Sequence, residues 1–194
     1  MKKFRNKYRI PSSRATFWDY GWNGAYFVTI CTKGMEAHFG RVAGEKMILS
    51  EIGQIAKKCW LAIPNHFPFV KLDVHVIMPN HVHGIIIIDK ADVEMGEITD
   101  NENQSPLVET QNLASLQNHT SLPKNKFGPQ SRNLPSIIRG FKAGVTKQAR
   151  TILPEFSWQP RYHDHIIRND ESWNRIANYI VNNPLNWQTD KFYI

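Results

Sequence analysis

The stretch from residue 70 to residue 88 constrains the fold of this chain more than any other. Val70, Leu72, Val74 and Val76 alternate as a half-buried strand requires, Met78-Pro79-Asn80 interrupts the pattern, and residues 81–88 resume it as a second strand. Two strands separated by so short a break pair as a hairpin. In the second of them Ile85, Ile86, Ile87 and Ile88 are apolar on both faces, which places that strand inside a sheet rather than at its edge.

The other elements arrange themselves around this hairpin. Residues 25–32 (AYFVTICT), aromatic and β-branched between two glycines, read as a strand. Ser50 is a candidate cap for a helix running to about residue 63, with Ile52, Ile55, Ala56 and Cys59 on one side. Leu134, Ile138, Phe141 and Val145 mark a helix ending near Arg150, and residues 156–167 read as extended. Asp170 is a candidate cap for a last helix with Trp173, Ile176, Ala177 and Ile180 as its buried stripe, terminated by Pro184. The order is strand, helix, strand, strand, helix, strand, helix. It predicts an α+β domain of the ferredoxin-like βαββαβ kind, an antiparallel sheet with one helix appended at its C-terminal end.

Residues 1–194 read as one domain, long enough for a sizeable core and an insertion. At residues 91–130 periodicity disappears, and Asn, Gln, Ser and Pro accumulate behind the acids Asp92, Glu94, Glu97, Asp100, Glu102 and Glu109, so a flexible acidic insertion is expected there. A formal charge of +7 and a pI near 9.5 favour a polyanionic partner. Only Cys31 and Cys59 are present, outside any CxxC pattern, which argues against a disulfide framework or a thiolate zinc site and fits a reducing, cytoplasmic setting. No apolar stretch approaches the length of a membrane span, and no apolar segment follows the basic N-terminus, so a soluble, unprocessed chain is expected.

Two constellations point to chemistry. His81 and His83, one residue apart on a strand, leave the same face while Val82 points the other way, a spacing that suits one shared metal ion, although the motif alone more often marks two histidines satisfied by backbone carbonyls. On the last helix, Arg175, Tyr179 and Asn183 recur at i, i+4 and i+8 as a polar stripe beside the apolar one. A tyrosine that attacks a phosphodiester exchanges one phosphate ester for another, which keeps the reaction reversible. The phenol, with a pKa of about 10, needs activation, and a cation beside it stabilises the growing charge.

Read together, MPNHVHGIIII (residues 78–88) and ANYIVNNP (residues 177–184) resemble the HUH-type single-tyrosine transposases. Within that group the chain looks most like the REP-associated tyrosine transposases. The likeness extends through SIIRGFKAGVTKQAR (residues 136–150) and WQPRYHDHIIRNDESWNRI (residues 158–176). This resemblance implies that His81 and His83 are the histidine ligands of a divalent metal, Mg or Mn, that Asn183 is a polar ligand, and that Tyr179 is the nucleophile. It also implies a 5′-phosphotyrosine intermediate, a free 3′-hydroxyl, and substrates that are single-stranded DNA ends bearing small hairpins. The insertion at residues 91–130 is longer than a compact member of that group needs.

Further residues are candidates for the DNA path. Arg139, Lys142, Lys147 and Arg150 lie away from the apolar side of their helix, while Arg161, His163, His165, Arg168 and Arg175 surround the last strand and helix. His163 and His165 also have the spacing of a second metal pair. Trp18, Tyr20 and Trp22, with Arg5, Arg9 and Arg14, are candidates for base stacking or for core packing. Two other readings remain open: an HUH endonuclease of the replication-initiator or relaxase kind, and a catalytically silent module binding single strands on an RRM-like sheet. Monomer and homodimer are equally compatible with the sequence.

Overall fold

The computed structural model describes residues 18–90 and 131–193. The expected insertion at residues 91–130 and the N-terminal arginines Arg5, Arg9 and Arg14 lie outside the described residues. The protein has a mixed α+β fold: β1 Gly24–Cys31, β2 Gly40–Ala43, β3 Lys46–Leu49, α1 Glu51–Leu61, α2 Ile63–His66, β4 Val70–Ile77, β5 His81–Ile88, α3 Leu134–Ala149, β6 His163–Ile167 and α4 Asp170–Val181.

Four strands form an open antiparallel sheet in the order β4-β5-β1-β6, so β5 is flanked on both sides, as its apolar residues require. The register places Thr29 of β1 opposite both His83 of β5 and His163 of β6, and Cys31 opposite His81. Side chains alternate across the sheet. One face, with Tyr26, Val28, Ile30, Val82 and Ile86, packs against Ala56 and Trp60 of α1 and Ile138, Phe141 and Val145 of α3. The other face, with Phe27, Val74, Val76 and Ile85, packs against Ile176 and Ile180 of α4. α4 therefore lies across β4 and β5 on the side to which His81 and His83 point.

Local chemistry explains most boundaries. Ser50 caps α1 as expected, its Oγ accepting from Gly53 N at 3.0 Å. Asn133 and Ser136 form a reciprocal capping box at the start of α3. Two expectations are corrected. The cap of α4 is Asn169, whose Oδ1 accepts from Ser172 N at 2.9 Å, and Asp170 sits in the first turn, where its charge favours the helix dipole. The extended stretch at residues 156–167 is a strand only over His163–Ile167. Upstream of it Trp158 makes a single bridge to Thr32, and Arg161, with φ of 68°, breaks the pleat. The hairpin of β2 and β3 was not anticipated. It turns through Gly44 and Glu45, both with positive φ (55° and 63°), as a two-residue hairpin loop of type I′ requires.

Gly84 shows how tightly β5 is held. A Cβ there would lie 2.2 Å from Cζ2 of the fully buried Trp60, with backbone on either side fixed by β1 and β4. Gly84→Ala must displace the Trp60 ring from the core, and we expect a loss of about 2 kcal/mol or more. Urea denaturation followed by tryptophan fluorescence measures it; an unchanged midpoint would show that this packing is slack.

Candidate functional site

The two histidines of β5 are among the few polar residues in the core, with His81 0% and His83 1% exposed. Each is hydrogen-bonded through Nδ1. His81 Nδ1 lies 2.8 Å from Asn80 Oδ1. Asn80 donates its amide protons to the carbonyls of Met35 (3.0 Å) and Phe192 (2.8 Å), which leaves Oδ1 as the acceptor facing the ring. His81 is thereby the Nδ1–H tautomer, and its Nε2 is a bare lone pair, buried with no hydrogen-bond partner.

His83 Nδ1 lies 2.9 Å from Thr29 Oγ1, and its Nε2 lies 3.1 Å from the Tyr179 hydroxyl. The hydroxyl also donates to Asp190 Oδ2 at 3.1 Å. With the phenolic proton directed to the carboxylate, the phenolic oxygen accepts from Nε2–H, and Thr29 donates to Nδ1. Because a threonine hydroxyl both donates and accepts, Thr29 partners His83 whether Nε2 carries a proton or a metal ion. The His81 and His83 ring centroids are 4.4 Å apart, and the Tyr179 ring is 5.1 Å from that of His83.

Asn183 follows the last turn of α4, which tightens as Asn183 N donates to Ile180 O at 3.3 Å. Its side chain still reaches the site: Nδ2 donates to Asp190 Oδ2 at 2.8 Å, while Oδ1 is buried without a partner. The structure thus brings together His81, His83, Tyr179 and Asn183. Among the described residues no group of three His, Cys, Asp or Glu side chains is arranged to hold a metal ion. The donors gathered here are of another composition, two imidazoles and an amide oxygen. Two of their donor atoms, His81 Nε2 and Asn183 Oδ1, are buried acceptors with no donor, which fits a divalent cation of the Mn or Mg type completed by further oxygens.

Burial sets the protonation states. It lowers the pKa of His81 to about 4, with the Asp190 charge opposing and Lys191 assisting, and it lowers that of His83 well below the usual histidine range. Tyr179 is pushed up to about 12, first by desolvation and then by the negative charge of Asp190 and its hydrogen bond. The residue is 38% exposed, with its hydroxyl held between His83 and Asp190.

The candidate DNA-contacting residues divide. Arg139, Lys142, Lys147 and Arg150 ride on α3, on the opposite side of the sheet from Tyr179. Two of them are engaged with backbone: Lys142 Nζ donates to the carbonyls of Gln159 (2.8 Å) and Arg161 (2.9 Å), and Arg150 Nε to that of Phe156 (3.1 Å). These cations hold the segment before β6 in place. His163 and His165 share the face of Thr29 and Phe27 and are exposed, and His165, Arg168 and Arg175 line a cavity of about 460 Å³ with Tyr20 and Glu171. Arg161 is exposed in the loop before β6. Tyr20 packs in the core, and Trp18 donates to the Tyr26 hydroxyl at 3.1 Å, while Trp22 stays exposed. Cys31 and Cys59 are free thiols. Thr29, Asn80 and Asp190 were missed by sequence reasoning. Alternation along residues 25–32 puts Thr29 on the face of Phe27, and Asn80 adjoins His81, but no periodic signal marks Asp190.

The burial of His81 has a measurable consequence. Between pH 6.5 and about 4 the unfolded chain binds a proton at this residue and the folded chain does not. Its contribution is complete above pH 6.5 and is lost as pH falls toward 4, by about 3 kcal/mol. Denaturant midpoints of the wild type should fall across that window, and those of His81→Leu should fall less; parallel slopes would show that His81 is not held neutral.

No protein-family model matches the chain. An uncharacterized protein of Haemophilus influenzae is 39% identical over 185 residues, covering 94% of this chain and 92% of that protein. Among solved structures, a REP-associated tyrosine transposase bound to a REP hairpin is 17% identical with a TM-score of 0.54, covering 94% of this chain and 77% of that one. The likeness to that structure is one of fold. No helix among the described residues is long and apolar enough to cross a membrane.

Proposed function

We propose that this chain, which belongs to the same family as the uncharacterized Haemophilus influenzae protein, is a single-tyrosine transesterase of the HUH transposase type acting on single-stranded DNA. The observation that carries this reading is the convergence of Tyr179 on a buried histidine pair, with its hydroxyl 3.1 Å from His83 Nε2 and the orphaned amide oxygen of Asn183 just beyond the end of the same helix. A structural pair of histidines would use both nitrogens of each ring, and His81 Nε2 has no partner. The fold shared with a transposase that binds a REP hairpin supports single-stranded DNA ends with hairpins as the substrate. On this reading residues 1–194 are one catalytic domain on a ferredoxin-like core, and residues 91–130 are an insertion in it.

In the reaction Tyr179 Oη attacks the scissile phosphorus. An O–P bond to the tyrosine forms as the P–O3′ bond breaks, giving a 5′-phosphotyrosine and a 3′-hydroxyl. The phenolic proton is transferred in net terms to the departing 3′-oxygen, so neither water nor a redox partner is consumed. His81 Nε2, His83 Nε2 and Asn183 Oδ1 would hold a divalent metal ion, Mg or Mn, which when bound supplies charge stabilisation at the phosphate oxygens. Asn80 and Thr29 orient the two rings through Nδ1. His163 and His165, on the face of Thr29 and Phe27, and Arg168 and Arg175, lining the cavity beside β6, would offer a path for the DNA strand. The silent RRM-like alternative needs aromatic rings exposed on the sheet, whereas Phe27, the ring of β1 on this face, is half-buried against the cluster that α4 forms with the sheet.

The test is denaturing electrophoresis of the protein incubated with Mn or Mg and labelled hairpin-bearing oligonucleotides drawn from DNA flanking its own gene. A metal-dependent covalent adduct is expected from the wild type and none from Tyr179→Phe, which should retain DNA binding. Cleavage that persists in Tyr179→Phe would replace the transesterase with a metal hydrolase. DNA binding without cleavage would leave only a binding module.

A further inference from the structure

Beyond α4 the chain returns across the end of β5 and brings onto the site a carboxylate that belongs to none of the motifs. Asp190 Oδ2 accepts from the Tyr179 hydroxyl at 3.1 Å and from Asn183 Nδ2 at 2.8 Å, while Oδ1 accepts from the Phe192 backbone N–H at 2.8 Å. Phe192 is anchored in turn: its carbonyl accepts from Asn80 Nδ2 at 2.8 Å, and its ring lies 4.5 Å from that of His81. We infer that Asp190 is a positioning residue of the active site, whose carboxylate fixes both the rotamer of Tyr179 and the amide orientation of Asn183. The inference rests on the transesterase reading above.

An ionised carboxylate only accepts hydrogen bonds. Facing it, Asn183 must present its NH₂, and that choice turns Oδ1 toward the buried space where it has no protein donor. A buried carbonyl left unsatisfied costs about 1–3 kcal/mol, so an unconstrained amide would rotate to relieve it. Here rotation would set oxygen against oxygen. The carboxylate therefore holds Asn183 with its Oδ1 as a bare, buried acceptor, and by taking the phenolic hydrogen bond it holds Tyr179 beside His83. One side chain couples the nucleophile to the metal ligand one turn further along, and both are held by a backbone bond to Phe192.

The same contacts, were they those of a blocking segment, would have the opposite consequence: removing the carboxylate would speed the reaction. The experiment uses the full chain and compares the wild type with Asp190→Asn, Asp190→Glu and Tyr179→Phe. Mn(II) binding to the protein alone is read by electron paramagnetic resonance, and adduct formation is read under single turnover. For Asp190→Asn, Mn(II) affinity should fall about 10-fold or more. The single-turnover rate constant should fall about as far, while half-saturation by DNA stays within about 2-fold. Asp190→Glu, which keeps the carboxylate, should recover part of both, and it carries the test if Asp190→Asn does not fold. Tyr179→Phe should lose the adduct and keep Mn(II) affinity. Unchanged affinity and rate in Asp190→Asn, or faster adduct formation, would overturn the inference. A wild type that forms no adduct, with Mn(II) binding still weakened in Asp190→Asn, would overturn the transesterase reading and leave the positioning of Asn183 standing.

Discussion

Burying two imidazoles on a central strand is the constraint to which the rest of this site answers. Each ring must be satisfied through at least one nitrogen, and the partner of that nitrogen decides what the other can do. For His81 the partner is Asn80, whose remaining donors clamp the carbonyls of Met35 and Phe192, so the turn before β5, the segment after β1 and the C-terminal return are tied to one side chain. For His83 it is Thr29, directly opposite on β1. The pair is thus oriented by the sheet itself, whose register Gly84 and Trp60 keep from shifting.

The two faces of the sheet divide the work. On one, α1 and α3 close the larger core, and the basic residues of α3 are spent partly on backbone carbonyls of the loop before β6. On the other, α4 is held by Ile176 and Ile180, and its polar stripe meets the histidines because its apolar stripe must meet the sheet. A helix that buries those two isoleucines sets the backbone of Tyr179 over the histidines, and Asn183 follows just beyond its end. Arg168 and Arg175 line a cavity beside β6, at the sheet edge opposite β4.

What was legible in the sequence was local and periodic. Alternation revealed β4, β5 and the common face of His81 and His83, and the 3.6-residue pattern revealed α3 and α4 with Tyr179 beside the apolar stripe. The cap of α4 was misplaced by one residue because Asn169 and Asp170 are both good caps, and only the hydrogen bond to Ser172 distinguishes them. The β2–β3 hairpin was missed because its strands are four residues each, too short for alternation to register. Residues 156–167 look uniformly extended, yet the positive φ of Arg161 is a backbone choice that no side-chain pattern announces. Asp190 was invisible for a different reason: its partners lie 7 and 11 residues away, across an irregular return, a contact set by the path of the chain and not by any period.

These protonation states also say what the site lacks at rest. With its pKa pushed up to about 12, Tyr179 at pH 8 is ionised in only about one molecule in 10⁴. The histidines are neutral, and the nearest full charge to the phenol is the carboxylate of Asp190. The phenol of such a cluster is a poor nucleophile, while the bare His81 Nε2 and Asn183 Oδ1 would accept a cation. Adding positive charge beside His83 Nε2 lowers the cost of the phenolate in the same place where it would stabilise an anionic phosphate. The carboxylate that raises the pKa of Tyr179 also draws such a charge in. Its own effect on the phenol keeps its sign, and a cation held beside it would offset that effect.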